Sequence, residues 1–283
     1  MKLQFKEQQF QKDAVQAVVD CFEGQPLKTN RFALELSKEL ILKAKQIANG
    51  DTQTKIFTDE DNMFEEIGYR NSPIQITEQH ILENIRKVQA AGNIHESTAI
   101  ERPKEDKNRS YHLTIEMETG TGKTYTYIRT MYELHKKYGW SKYIVIVPSI
   151  AIREGVYKSF QLTQDHFQEL YGHKIAPFIY NSSNPQDIEN FASDSRISVM
   201  IINTQAFNAR SADTRRIYQE LDQFGTRKPI EIISQTNPIL IIDEPQSVDG
   251  ARTLESMQDF NPLFTLRYSA THRVEYNKVY RLD

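Results

Sequence analysis

The run Glu116-Met117-Glu118-Thr119-Gly120-Thr121-Gly122-Lys123-Thr124 spaces two glycines, a lysine and a threonine as a phosphate cradle requires. Gly120 and Gly122 permit backbone angles and a close approach that side chains would block. The N–H groups of Thr119, Gly120, Thr121 and Gly122, and of the helix start behind them, then face a polyphosphate. Lys123 can reach the β/γ-phosphates, and the Thr124 hydroxyl can ligate Mg²⁺. The strict pattern wants a glycine five residues before Gly122, and Met117 stands there. A chance match in a glycine- and threonine-rich turn is the competing reading.

A second acidic element lies further along, where Ile239-Leu240-Ile241-Ile242 runs into Asp243 and Glu244. Four consecutive apolar residues without alternation suit a strand buried on both faces of a parallel sheet. Ligands of open α/β sheets bind at the carboxyl ends of such strands. Asp243 is suited to hold Mg²⁺, and Glu244 to orient and deprotonate an attacking water. Alone, the pair reads equally as two solvated acids at a strand end. Together with the Gly-Lys-Thr loop it points to ATP hydrolysis with Mg²⁺.

These groups need a scaffold, and the hydrophobic pattern supplies one. Strands are expected at residues 113–116, 143–147, 175–180, 199–203, 239–242 and 265–269, with helical patterns between most of them. That alternation predicts βαβ units and a parallel sheet. The glycine loop sits between the strand-like residues 111–115 and a helical stretch at 125–138. Nearer the start, Phe10, Ala14, Val15, Val18, Val19 and Phe22 recur at helical spacing, with Gly24 and Pro26 as stops. A helix is likewise expected at 34–48, a polar, turn-rich stretch at 51–72, a helix at 77–91 and a charged loop at 92–109.

Gly-Lys-Thr, then Asp243-Glu244-Pro245-Gln246, then Ser269-Ala270-Thr271 is the order of motifs I, II and III in superfamily-two helicases and translocases. With Met117 to Thr124 in front, the Asp-Glu-Pro-Gln form resembles the Res subunit of Type III restriction enzymes. Residues 22–26, 147–155 and 279–283 agree, and the segment from about 27 to 107 matches poorly. The resemblance implies an α/β fold, the first RecA-like P-loop NTPase domain, with a parallel sheet flanked by helices and a helical N-terminal region. Its expected divisions are an N-terminal helix at 1–26, a mainly helical insertion at 27–110 and the motor domain at 111–283. It also implies that the chain is the N-terminal part of a Res protein, without the second RecA-like domain or the nuclease.

Further roles rest on that resemblance. Phe10 and Gln11 look like the start of such motors, where an aromatic stacks on adenine and a glutamine reads its edge. The competing reading of Gln11 is an exposed side chain on an amphipathic helix, since Gln4, Gln8, Gln9 and Gln16 crowd around it. Ser149 and Arg153 resemble a motif that touches the DNA backbone, although Arg153 is equally a solvated helix charge. Thr204 and Gln205 resemble the next such motif. Ser269 and Thr271 are expected to link the phosphate site to the DNA side. Implied partners are double-stranded DNA and the DNA methyltransferase (modification) subunit. Two alternatives remain beside this: another superfamily-two DNA helicase or phage-defence ATPase, and an idle nucleotide-binding module.

Composition excludes little. Across 283 residues, 35 Lys and Arg against 38 Asp and Glu leave no global basic field to advertise nucleic acid. The single cysteine, Cys21, cannot form an internal disulfide and suits the cytoplasm. No apolar run approaches the ~18 residues of a membrane span. The histidines show no metal-ligand spacing, and only His272 falls near the expected site. Lys136-Lys137 and Arg215-Arg216 read as solvated helix charges, and Trp140 as packing.

Overall fold

Seven strands form one sheet: β3 (Tyr111–Glu116), β4 (Lys142–Val147), β5 (Ala176–Ile179), β6 (Ser198–Asn203), β7 (Ile239–Asp243), β8 (Phe264–Ser269) and β9 (Asn277–Arg281). Their order is β5-β6-β4-β7-β8-β3-β9, and every pairing is parallel. The computed structural model describes residues 5–35, 65–106, 108–208, 216–220 and 227–282. Helices flank both faces of the sheet, giving the RecA-like α/β arrangement that the resemblance implies.

The apolar runs explain the burial. Successive strand residues point to opposite faces, so β4 sends Tyr143, Val145 and Val147 to one core and Ile144 and Ile146 to the other. The first core is closed by α1 (Gln9–Asp20), α3 (Lys123–Tyr138) and α4 (Ile150–Tyr171), the second by α5 (Gln186–Ser193), α7 (Pro229–Gln235) and α8 (Ala251–Met257). The six expected strands are all observed, with ends shifted by one or two residues. The unexpected β9 adds beside β3. Its buried Asn277 and Val279 alternate with Lys278 and Tyr280, so it has no apolar run to announce it.

The N-terminal half departs most from expectation. Instead of a helix beginning at Leu34, the strand β1 (Thr29–Glu35) runs antiparallel to β2 (Glu65–Asn71), where a turn-rich stretch was expected. The rest of the expected 34–48 helix lies outside the described residues, as does Arg215. The helix expected at 77–91 is α2 (Glu78–Ala91), capped by the Thr77 side chain, which accepts from the His80 N–H. Residues 92–106 and 108–109 contain no helix or strand, as expected.

Two side chains fasten this region to the sheet. Asn71, fully buried, donates to the carbonyls of Lys142 and Asn237 and accepts from the N–H groups of Ser141 and Lys142. It thereby joins the amino ends of β4 and β7. Trp140 donates to the Ser72 carbonyl and packs among Phe22, Tyr138 and Phe264, which bears out its packing role. Gly139, just before Trp140, caps α3, and a Cβ there would stand 2.7 Å from the Lys28 carbonyl oxygen. Cys21 is buried core, Lys136 and Lys137 are exposed, and Arg216 is exposed in a short 3₁₀ turn.

Candidate active site

Because all seven strands are parallel, their carboxyl ends share one edge of the molecule. β3 ends there in the glycine loop, β7 in Asp243 and β8 in Ser269, with β8 lying between the other two. Cross-strand register sets Glu116 beside Ser269 and Asp243 beside Tyr268.

The loop adopts the geometry its glycines allow. Gly120 has φ +84° and Gly122 φ +86°, both in the left-handed region that disfavours side chains. Gly122 caps α3 and takes a hydrogen bond from the Thr126 N–H. Thr119 and Gly120 are exposed, so this part of the loop faces solvent. Thr121 turns its hydroxyl back to the Glu118 carbonyl at 2.6 Å.

Lys123, Asp243 and Glu244 converge. The Lys123 ammonium lies 2.7 Å from a Glu244 carboxylate oxygen. Asp243 is buried, and its carboxylate accepts a long, 3.5 Å contact from the Tyr127 hydroxyl. Burial, with the neighbouring Glu244 charge second, pushes the Asp243 carboxyl up to about 6, against the pull of Lys123 and Tyr127. Glu244 goes the other way. Burial raises it, but the Lys123, Gln246 and Ser269 contacts outweigh that and hold its carboxyl below the usual range. Two adjacent carboxyls thus differ in proton affinity.

Glu244 is also held in an uncommon backbone conformation, φ 59° and ψ 63°. Its N–H donates to the Tyr268 carbonyl at 3.0 Å. Its second carboxylate oxygen accepts from Gln246 at 2.6 Å and sits 2.9 Å from the fully buried Ser269 hydroxyl. That hydroxyl also lies 2.8 Å from the Gln246 carbonyl oxygen and 2.7 Å from the Thr271 carbonyl. A left-handed non-glycine residue costs free energy and persists where the surroundings hold it; here they are β8 and Gln246.

Gln11 is buried rather than exposed, which removes its reading as a solvated helix residue. Its amide donates to the Thr121 carbonyl at 2.8 Å, tying α1 to the glycine loop. Phe10 is half-buried against the first core. Near the start of α3, Phe5 stacks on Tyr125 at 6.1 Å, and the Tyr125 hydroxyl lies 2.8 Å from His166. Sequence spacing gave no signal for Phe5, which stands outside any helical pattern.

The remaining residues lie along the same edge. Ser149 caps α4, accepting from the Ile152 N–H. Arg153, one turn on, contacts Asn203 at 3.4 Å and pairs with Glu154 at 3.0 Å, so it is neither free nor simply solvated. Thr204 donates its N–H to the Val147 carbonyl, which brings the ends of β4 and β6 together, and Gln205 is exposed beside it. Arg153, Tyr180, Asn181, Asn203 and Gln205 line an open groove of about 680 Å³. Thr271 is exposed; His272 turns toward the Arg267 carbonyl at 3.3 Å, on the flank of β8 rather than at Lys123.

A Mg²⁺–nucleotide fits this donor set. The loop is open at Gly120, where an added Cβ would meet nothing within 4 Å, and a buried lysine and aspartate stand behind it. Among the described residues, no group of three or more His, Cys, Asp or Glu forms a metal site of protein ligands alone. No described helix is long and apolar enough to cross a membrane.

Comparison with known proteins places these features in a family. The model of the Type III restriction enzyme, res subunit, matches residues 4–274. The Res subunit of the Type III restriction-modification enzyme EcoP15I from Escherichia coli is 34% identical over 233 residues, 75% of this chain and 23% of that protein. The EcoPI Res subunit of Escherichia phage P1 is 33% identical over 232 residues, with the same shares. The StyLTI Res subunit of Salmonella typhimurium is 32% identical over 206 residues, 66% of this chain and 20% of that protein. The chain spans less than a quarter of the length of these relatives.

Proposed function

The chain belongs to the family of Type III restriction enzyme Res subunits, and on that premise we propose that it is the ATP-binding motor portion of such an enzyme. The observation that carries this reading is the convergence of Lys123, Asp243 and Glu244 at the carboxyl edge of a parallel sheet. Lys123 and the loop N–H groups bind the β/γ-phosphates. Thr124 and Asp243 hold Mg²⁺, which when bound neutralises phosphate charge and aligns the oxygens for in-line displacement. Glu244 orients the attacking water. Its hold by Ser269 and Gln246 supports that role, because a general base must be fixed before it can be useful.

In the whole enzyme this hydrolysis drives translocation on double-stranded DNA and its cleavage, together with a modification subunit that methylates DNA. Ser149, Arg153, Thr204 and Gln205 contact the DNA backbone along the groove at the ends of β4 and β6, and Ser269 and Thr271 link that edge to the γ-phosphate. Gln11 and Phe10 border the adenine end of the nucleotide. A cytoplasmic setting agrees with the lone buried cysteine. The test is ATP hydrolysis by the chain, alone and joined to the remainder of a Res subunit, with and without duplex DNA. Hydrolysis that depends on Lys123 and Glu244 and rises with DNA in the joined protein is expected. Turnover indifferent to both substitutions would overturn the reading.

A further inference from the structure

Tyr127 is fully buried directly beneath the candidate Mg²⁺ site. On α3 it lies one helical turn after Lys123 and three residues after Thr124. Its hydroxyl stands 3.5 Å from the Asp243 carboxylate. Tyr127 and Asp243 sit on different elements, a helix and a strand end, and this contact joins them at the site.

The ring itself is locked from below. Tyr127 packs edge-on against Tyr268, with centroids 5.6 Å apart at 65°. Tyr268 is the register neighbour of Asp243 and places its own hydroxyl 3.2 Å from Thr130, three residues after Tyr127 on the same helix. Two tyrosines thus cross-brace α3 against β8. A phenylalanine would fill the same space, so packing alone does not call for the Tyr127 oxygen. A buried hydroxyl is costly unless it has a partner, and its hydrogen-bond partner is Asp243.

We propose that Tyr127 is a positioning residue that orients Asp243 for Mg²⁺. This rests on the reading of the site as a Mg²⁺–nucleotide site. Outer-shell hydrogen bonds to metal ligands hold those ligands in their binding geometry. Tyr127 is buried behind Asp243 and acts through that ligand. Lys123 pairs instead with Glu244, so the metal and the metal-free nucleotide affinities separate.

The experiment is a titration of the protein with Mn²⁺ at saturating ADP, followed by electron paramagnetic resonance of the free and bound ion. Tyr127→Phe should weaken Mn²⁺ by ~10-fold, the low end for outer-shell changes. ADP affinity measured in EDTA, and the melting temperature, should stay near wild type. In an Asp243→Asn background the Tyr127→Phe change should have no further effect on Mn²⁺, because the ligand it positions has been altered. Equal Mn²⁺ affinity in wild type and Tyr127→Phe would overturn the inference and leave Tyr127 as packing. A wild-type protein that binds ADP with no Mn²⁺ at Asp243 would overturn the site reading itself, and the inference with it.

Discussion

The Lys123 ammonium and the Glu244 carboxylate lie 2.7 Å apart, so the cation meant for phosphate and the base meant for water share a contact. A nucleotide's phosphates would compete with Glu244 for Lys123. Glu244→Gln keeps shape but removes the competing charge. The variant should bind Mg·ATP at least as tightly as wild type, while single-turnover hydrolysis falls by ~10²–10⁴, the usual worth of a positioned base. Calorimetry and quench-flow on the same preparation separate the two effects. Weakened binding together with unchanged hydrolysis would move the base elsewhere.

Asp243 gives a pH signature. Its folded value of about 6 lies above the ordinary ~3.9 of an aspartate in an unfolded chain. A raised folded value favours the folded state at low pH and is lost as pH rises through about 6. Asp243→Asn should therefore match wild type below pH ~4 and exceed it above pH ~7, by up to about 3 kcal/mol. Urea unfolding of both proteins without nucleotide, at the two pH extremes, checks the sign. A difference that shrinks with rising pH would contradict the burial of Asp243.

Gly122 answers to two constraints that can be separated. A Cβ there would stand 2.5 Å from the Gln11 amide nitrogen, and the backbone holds φ +86°. Gly122→Ala should lower stability by ~1–2 kcal/mol from the left-handed conformation alone, and by more from the collision. Adding Gln11→Ala should recover the collision and leave the backbone cost. Thermal melts of the single and double variants measure this; full recovery would show that φ is not the constraint.

Six strands of the sheet and the loop at its edge were legible in the sequence because their signals are local. A glycine loop between strand and helix, and four apolar residues ending in two acids, each specify structure within ten residues. The hairpin was not legible, because β1 and β2 pair across a long sequence separation and Thr29 to Glu35 mixes Arg31, Phe32 and Glu35 without a clean alternation. Its anchor, Asn71, looks like any loop asparagine until the starts of β4 and β7 are brought to it. Within the site, Lys123, Asp243 and Glu244 follow from spacing alone. Tyr127 did not, since a tyrosine on a helix reads as core until Asp243 is placed over its hydroxyl. Gln11 was seen, but its contact with Thr121 spans more than a hundred residues and no pattern encodes it.

The central claim is that residues 116–124 and 243–244 form one Mg²⁺–nucleotide site, and Lys123 is its most direct probe. Lys123→Ala removes a buried cation from Glu244 and from the phosphates it would face. Isothermal titration of Mg²⁺ with a non-hydrolysable ATP analogue into wild type and variant reads this without requiring turnover. The account predicts measurable binding to wild type and a loss of ~10-fold or more in the variant, since charge-assisted contacts contribute about 1.5–3 kcal/mol each. Equal affinity in a variant with an unchanged melting temperature would contradict it.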